Sequence, residues 1–584
     1  MKLGIDFGTC FSFVAACIGD NVNNAEPLIG KDDKIHNDLN GIPTVFYHDS
    51  NPDHCELVGQ KAYDLLLEKG LDKNGVQHIK SLLRKKSPDD VVLRSGGKTF
   101  TVKQIVVKIL AFLIKNAAYA LDRQHSGQNL KLDYLVITVP ASAGADSYRG
   151  LLRDFAFEAV RQIAIEAEQT VSDTASNDDK LRNLVLKALR ASEFSLDSIS
   201  LIDEPVAVAL SYYINSDRNV ADGERILTYD LGGGTFDVAI VEYTPSNSSQ
   251  KFSVLAQGGA EVGGNDWDSR LLQLALKNNE PPIAITNPAI IEYDKRLMKN
   301  VISAKLELSR HDDTPFASLF NGKLVASEIE RTAFEDETSD LLEKTVSVLN
   351  NTIEDFENRL DGRDKTIHAV VFSGGASLMP MVKNRIKPLM EERYPNIDVY
   401  FASPDRTIAF GAAIYACQPD QTVLVSPHTY GIECLYKPEN DTGLGSFVTM
   451  GAGNILRPVK PIEAASGESY CRIHNILLKG TPIDPHEGYI SGEENYCPIL
   501  PDQQEMSIRV FEIKESLNNQ KWIDIDERKD MFRIVFPITQ IKSKSILERS
   551  YSVKIRLLQG GILELFVYDN DRNRQLVKYA MARL

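Results

Sequence analysis

Residues 226–237 read Ile-Leu-Thr-Tyr-Asp-Leu-Gly-Gly-Gly-Thr-Phe-Asp, and this segment limits the fold more than any other. An apolar, strand-forming run enters an Asp, three glycines and a Thr, so the chain has to turn at Gly232, Gly233 and Gly234. Glycines let backbone N–H groups approach a polyphosphate closely. Thr235 adds a hydroxyl, and Asp230 and Asp237 offer the oxygen donors that hold a hydrated Mg2+ ion. Taken by itself, a Gly-rich hairpin between Val/Ile-rich strands is also ordinary turn chemistry.

The N-terminus carries the same device, because Leu3-Gly-Ile-Asp-Phe-Gly-Thr-Cys10 again runs strand, Asp, Gly, Thr. Two such turns imply a duplicated fold in which each half gives one hairpin and one carboxylate to a site between two lobes. Asp6 and Asp230 then lie near the metal, and Gly8 with Gly232 to Gly234 near the phosphates. A third element, Ala369-Val-Val-Phe-Ser-Gly-Gly-Ala-Ser-Leu-Met-Pro380, is an apolar strand that opens through Gly374 and Gly375 into a helix. That geometry suits the sugar or α-phosphate of a nucleotide.

Further ordered segments are Gly41-Ile-Pro-Thr44, His78-Ile-Lys-Ser-Leu-Leu-Arg84, Val136-Ile-Thr-Val-Pro-Ala141, Leu201-Ile-Asp-Glu-Pro205, Glu261-Val-Gly-Gly-Asn-Asp-Trp-Asp268, Ala304-Lys-Leu-Glu-Leu-Ser309 and Pro404-Asp-Arg-Thr-Ile-Ala-Phe-Gly411. With these the chain resembles, over nearly its whole length, the seventy-kilodalton heat-shock chaperone family (DnaK-like), a branch of the actin and sugar-kinase superfamily. The resemblance implies an α/β actin-like two-lobed ATPase domain, a duplicated ribonuclease-H-like fold, followed by an all-β sandwich domain. The boundaries it suggests are 1–418 for the nucleotide-binding domain, 419–425 for a linker and 426–584 for the β-domain. Local patterning agrees: strand and helix signals alternate to about Gln418, with helices expected over 105–121, 148–168, 180–191, 205–214 and 334–359. Short strands over 506–512, 531–538, 553–558 and 562–568 follow, with Gly560-Gly561 as a hairpin dipeptide.

At 584 residues, more than one domain is expected, and 43% hydrophobic residues suit a soluble globular chain. A formal net charge of −16 argues against sequence-independent binding to nucleic acid or to an anionic membrane. The seven cysteines are scattered, with no C-x-x-C pair and no metal-ligand spacing, which fits a reducing cytoplasm. The N-terminus enters a strand without a signal-like apolar region, and no run of about 18 apolar residues occurs anywhere, so neither secretion nor membrane spanning is expected.

The resemblance also implies roles. Lys80 matches a lysine that contacts the attacking water and γ-phosphate, and Glu204 a carboxylate that positions that water or the metal shell. Without the family, Lys80 reads as a solvated helix lysine and Glu204 as a helix-entry acid. Thr9 and Thr235 would hydrogen-bond phosphate oxygens, Asp6, Asp230 and Asp237 would hold Mg2+ mainly through water, and Pro140 would relay nucleotide state. Gly263, Gly264, Lys305, Ser309, Gly374, Gly375, Ala376, Leu378 and Asp405 would complete the ATP/ADP pocket. Four departures stand out: Cys10 replaces a hydroxyl residue; Leu378 and Ile302 replace a basic and an acidic residue near the adenine; some thirty extra residues lie around 165–195; and no helical lid follows the β-domain. The expected activity is slow, Mg2+-dependent ATP hydrolysis coupled to binding of unfolded or extended polypeptide, with a J-domain cochaperone and a nucleotide-exchange factor as partners. A nucleotide-sensing scaffold with a dedicated client is the alternative, and a small-molecule kinase the third reading.

Overall fold

Tyr134–Val139 and Ala369–Ser373 are apolar apart from Thr138 and Ser373, as strands covered on both faces require, and every residue in both is buried. The computed structural model describes all residues except 22–24, 29–40, 50–55, 70–73, 125–130, 141–145, 170–193, 216–219, 246–249, 284–294, 321–322, 360–363, 402–406, 420–421, 427–428, 437–446, 449–469, 479–480, 485–488, 491–493, 498–503, 514–521, 524–527, 539–544, 546–548, 559–561 and 581–584. The helix expected over 180–191, the extra segment and Gly560-Gly561 therefore lie outside the described residues. The chain divides into one unit of Met1–Pro245 with Leu255–Pro419 and another of Ser246–Val254 with Asp420–Leu584.

The first unit holds two mixed sheets that repeat one layout. The first sheet runs Ile199–Asp203, Tyr134–Val139, Lys2–Asp6, Phe11–Cys17, Ala25–Leu28. The second runs Asp398–Tyr400, Ala369–Ser373, Glu224–Leu231, Phe236–Pro245 and then Gln250–Ala260. In each, the central strand pairs parallel on one side and antiparallel on the other: Gly4 is opposite Val136 and Ala15, and Tyr229 is opposite Phe372 and Val238. Both central strands carry an Asp at or next to their C-terminal end and run into a glycine turn. Parallel neighbours place those ends on the same edge of each sheet, where α/β folds build their sites.

Helices cover the sheets. Val102–Gln124 is longer than expected, and its Val102–Leu121 part is apolar enough to cross a bilayer by length and composition, against the expectation that no such run occurs; 67% of its most apolar 18 residues is buried in the protein, against neighbours that include the helix Asp146–Gln169. The helix expected over 334–359 is two, Arg331–Glu337 and Ser339–Arg359. Thr338 breaks it, since its hydroxyl donates to the Phe334 carbonyl at 2.8 Å and its backbone sits at φ −113°, ψ 7°. Around the second sheet, Trp267, Leu271, Val301, Leu349 and Phe372 form one apolar core, with the Trp267 Nε1–H directed at Met381 Sδ, 3.4 Å away. Sequence spacing gave no cysteine pair, but the fold makes one: Cys17 and Cys417 form a disulfide across 400 residues.

Every described regular element of the second unit is a strand. Tyr551–Leu558, Ile562–Asp569 and Arg574–Ala580 form an antiparallel meander. Glu505–Ile513 pairs with both Thr429–Tyr436 and Arg528–Pro537. Alternation in Tyr551–Leu558 turns Tyr551, Val553, Ile555 and Leu557 into the core. Thr422–Val425, within the stretch expected to be a linker, is itself a strand paired with Gln250–Lys251 and Pro482–Ile483.

Candidate functional site

Four carboxylates and one ammonium meet beside the two glycine turns of the first unit. Asp6 ends its strand, and Asp230 faces Asp237 directly across the second hairpin. Glu204 opens the helix Glu204–Asn215, where Pro205 suits the first turn and an acid suits the dipole. Lys80 is the second residue of the short helix Ile79–Lys85, on the buried face with Ile79 and Leu83. Its Nζ donates to Glu204 Oε1 at 2.8 Å, with the two side chains 8% and 6% exposed. Lys80 is therefore not the solvated lysine that its polar neighbours suggest.

Electrostatics follow from that crowding. Burial, reinforced by Glu204, pushes the Asp6 carboxyl from 3.8 up to about 7, while Lys80 and a 3.4 Å hydrogen bond from Thr138 Oγ1 pull the other way. Asp230 is also raised, by burial first and then by Glu204, Asp237 and Asp6. Burial lowers the Lys80 ammonium, but Glu204, Tyr148 and Asp6 outweigh it and hold it above its ordinary value. Carboxylates exceed the single ammonium here, but among the described residues no three Asp, Glu, His or Cys side chains converge closely enough to ligate a metal directly, so a cation at this place would be held through its water shell.

The second turn is built to be rigid. The Gly232 N–H closes it on the Thr235 carbonyl at 3.0 Å, and the N–H groups of Gly264 and Asn265 donate to the Gly232 and Gly233 carbonyls at 2.9 and 2.8 Å. Gly263 touches this turn so closely that a Cβ there would lie 2.6 Å from the Gly233 carbonyl carbon and the Gly234 nitrogen. Lys305 Nζ pairs with Asp268 at 2.7 Å and donates to the Gly264 carbonyl at 3.1 Å. A Cβ on Gly264 would lie 3.3 Å from both Lys305 Nζ and the Ala376 Cβ, so these residues share one corner. Ser309 Oγ donates to the carbonyl of Lys305 at 3.1 Å. Gly374, at φ +78°, packs against Leu231, where any side chain would meet the Leu231 carbonyl at 2.4 Å. Gly375 is exposed, Leu378 is 46% exposed and Ile302 is half-buried. Asp405 lies outside the described residues.

The first turn, Gly8-Thr9-Cys10, is half-buried. Burial, with Asp268 next, pushes the Cys10 thiol up to about 11, so it stays neutral. It donates to Asn265 Oδ1 at 3.5 Å and lies 3.8 Å from His78 Nδ1. Neither His78 nor Asn265 was singled out from the sequence. His78 sits in the left-handed region, φ 56°, immediately before the Lys80 helix, which patterning does not reveal. Arg149 was also missed. Its buried guanidinium pairs with Asp203 at 2.5 Å and donates to the Pro140 carbonyl at 3.0 Å, which links Pro140 to the residue before Glu204. The one available signal was its place beside Tyr148 on the core face of its helix.

The family model for Hsp70 protein matches residues 175–436. Chaperone protein DnaK of Halobacterium salinarum is 27% identical over 448 residues, covering 74% of this chain and 59% of that protein. Chaperone protein DnaK of Psychrobacter cryohalolentis is 28% identical over 461 residues, covering 74% and 62%. The Guillardia theta protein of the same name is 30% identical over 311 residues, covering 52% and 46%. The chain thus spans 62% or less of the length of these curated relatives.

Proposed function

Since the chain belongs to the Hsp70 family, as a DnaK-like member, we propose that it is an ATP-driven molecular chaperone whose nucleotide state controls its hold on extended polypeptide. In this reading residues 1–418 are a two-lobed actin-like ATPase of the duplicated ribonuclease-H-like fold, 419–425 the linker, and 426–584 a β-sandwich that takes a peptide by main-chain pairing. The observation that carries it is the buried Lys80–Glu204 pair at 2.8 Å, set among Asp6, Asp230 and Asp237. A buried ion pair costs desolvation and is poor evidence for a stability role, so its place beside two glycine turns points to chemistry.

Asp6, Asp230 and Asp237 would hold Mg2+ mainly through water, with Gly8, Thr9, Cys10 and Gly232 to Thr235 at the phosphates. Gly263, Gly264, Lys305, Ser309, Gly374 to Ala376, Leu378 and Asp405 would surround the nucleoside. When bound, Mg2+·ATP supplies the transferable γ-phosphoryl group and neutralises its developing charge. Lys80, fixed by Glu204, orients the attacking water and adds positive charge where the phosphoryl oxygens develop negative charge. Thr235 gives a hydroxyl to the same oxygens. Asp6, held ionised when Mg2+ is bound, can accept the proton the water sheds. Displacement of Glu204 would be felt through Asp203 and Arg149 at the Pro140 carbonyl, which fits Pro140 as the residue that relays nucleotide state. A J-domain partner and an exchange factor would accelerate the cycle, in the cytoplasm.

Single-turnover hydrolysis of ATP at saturating Mg2+, compared with Lys80→Ala, tests the reading. Slow hydrolysis abolished by the substitution is expected. Tight ATP binding with no hydrolysis in either protein would replace it with the nucleotide-sensing scaffold.

A further inference from the structure

The Cys17–Cys417 pair is unused by the proposed reaction, yet it sits at a mechanically informative place. Cys17 ends the strand that begins immediately after the first glycine turn, and Cys417 ends the last helix of the first unit, Thr407–Cys417, two residues before the unit boundary at Pro419. Their Cα atoms are 5.8 Å apart, inside the span of roughly 4.4–6.8 Å that a disulfide bridges. Both side chains are buried, at 0% and 1% exposure. The same helix end is held by Lys2 Nζ, which donates to the Cys417 carbonyl at 2.9 Å, and by Gln418 Nε2, which donates to the Asp20 carbonyl at 2.8 Å.

This helix touches both elements that bring charge to the site. A Cβ on Gly4 would lie 2.3 Å from the Ala413 nitrogen, and one on Gly411 would lie 1.8 Å from the Ala207 carbonyl. Gly4 belongs to the strand ending in Asp6, and Ala207 to the helix opened by Glu204. With backbone against backbone at both contacts, no side chain is available to absorb a shift of the helix.

We propose that Cys17 and Cys417 are a thiol–disulfide exchange site for low-molecular-weight disulfides and thiols of the glutathione class, and that the bond is a clasp that restrains the site behind it. In the reduced protein one cysteine thiolate attacks the small disulfide, forming a mixed disulfide and releasing one small thiol. The second cysteine then attacks that bond, closing Sγ–Sγ and releasing the other. Two protein thiols lose two electrons, the small disulfide gains them, and both protons end on the released thiols. Because both sulfurs are buried, exchange waits on lifting of the helix end. Only the kinetic consequence for nucleotide rests on the ATPase reading.

The full chain is first reduced, then incubated with oxidised glutathione and run on a non-reducing denaturing gel with peptide mass mapping. Closing a loop of 400 residues compacts the denatured chain. A faster band reversed by dithiothreitol is therefore expected, with Cys17 and Cys417 peptides linked, and absent from both Cys17→Ser and Cys417→Ser. The oxidised parent should melt on the order of 5 °C higher than the reduced form, and release ADP at least about threefold more slowly, with no such redox difference in Cys417→Ser. Absence of the linked peptides, or persistence of the fast band in Cys417→Ser, overturns the site. Linkage with equal ADP release in both forms overturns the restraint. Linkage and the higher melting point with no nucleotide bound by either form uphold the clasp and sink the ATPase reading instead.

Discussion

The two glycine turns lie on sheets of the same strand layout and differ in almost everything attached to them. The second faces two carboxylates across one hairpin, Asp230 against Asp237, and is pinned by N–H groups of Gly264 and Asn265. The first has one carboxylate, because the residue opposite Asp6 is Phe13. Among the described residues it is pinned by a single N–H from outside its hairpin, that of Thr44 on the Cys10 carbonyl at 2.8 Å, with Gly8 against the Phe11 carbonyl and Cys10 beside Asn265. What it lacks arrives from outside its hairpin: Lys80 and Glu204 stand on helices that the chain adds between and after the strands of the first sheet. Duplication thus supplies a frame, and the later additions decide which half carries which task. On the proposed reading the second half would do most of the holding of cation and phosphates, with Asp6 and the first turn assisting, and the first half would act on them.

That division makes unequal predictions. Lys80→Ala should lower single-turnover hydrolysis by about 10²–10³-fold, the usual loss when a preorganised charge is removed, while Mg2+-dependent ATP binding by calorimetry stays within a few-fold. Asp230→Asn should do the reverse first, weakening the Mg2+ dependence of binding before any rate is considered. Equal loss of binding in both variants would erase the distinction. Lys80→Ala also strands the buried Glu204, so a stability loss of up to about 3–5 kcal/mol is expected by thermal melting; Lys80→Ala combined with Glu204→Ala should recover part of it without recovering turnover.

Next in size is the backbone of the second turn. Gly263→Ala places a Cβ against Gly233 and Gly234 that neither can yield to without moving the turn. A stability loss of about 1–3 kcal/mol by thermal melting is expected, with weakened nucleotide binding following from the displaced turn, and the equivalent change at exposed Gly375, where a Cβ meets nothing within 4 Å, should cost little stability.

A smaller effect is set by pH. The Asp6 carboxyl is raised from 3.8 to about 7 by burial and by Glu204, so the folded metal-free chain binds more protons than the unfolded chain between those values. Its contribution to stability therefore falls as pH rises through that window and levels off above it. Mg2+ has to displace that proton, so Mg2+-nucleotide affinity should rise by up to about tenfold per unit below pH 7 and flatten above. Calorimetry at pH 6 and pH 8 measures it; an unchanged slope in Asp6→Asn would assign the proton to another carboxyl.

How much of this was legible depended on range. The carboxylates and both turns were readable because each lies within a dozen residues of its own strand, and the Asp230–Asp237 register follows from the hairpin between them. The burial of Lys80 was not readable, since its helix has seven residues and polar side chains at Ser81, Arg84 and Lys85, so periodicity says nothing about which face is covered. Arg149 and the Cys17–Cys417 pair were hidden for a related reason: their partners are set by tertiary packing, in the second case across 400 residues. The break at Thr338 lay in plain sight as Asp-Glu-Thr-Ser, but apolar periodicity continues across it and outweighed the cap-forming residues.

The smallest expected effect is at Cys10, and it bears most directly on the asymmetry between the turns. Its Sγ fills the space over Gly233, where a Cβ would lie 2.7 Å from it, and its neutral thiol is already engaged with Asn265. If the first turn binds through its backbone, Cys10→Ala should change ATP affinity by less than about threefold, below the net worth of one hydrogen bond. Cys10→Thr, with a stronger donor and one more methyl, should bind equally or slightly more tightly unless the methyl crowds Gly233. A tenfold loss in Cys10→Ala with the melting temperature unchanged would make the thiol a ligand in its own right, and the two turns would then share the phosphate more evenly than their hydrogen bonding indicates.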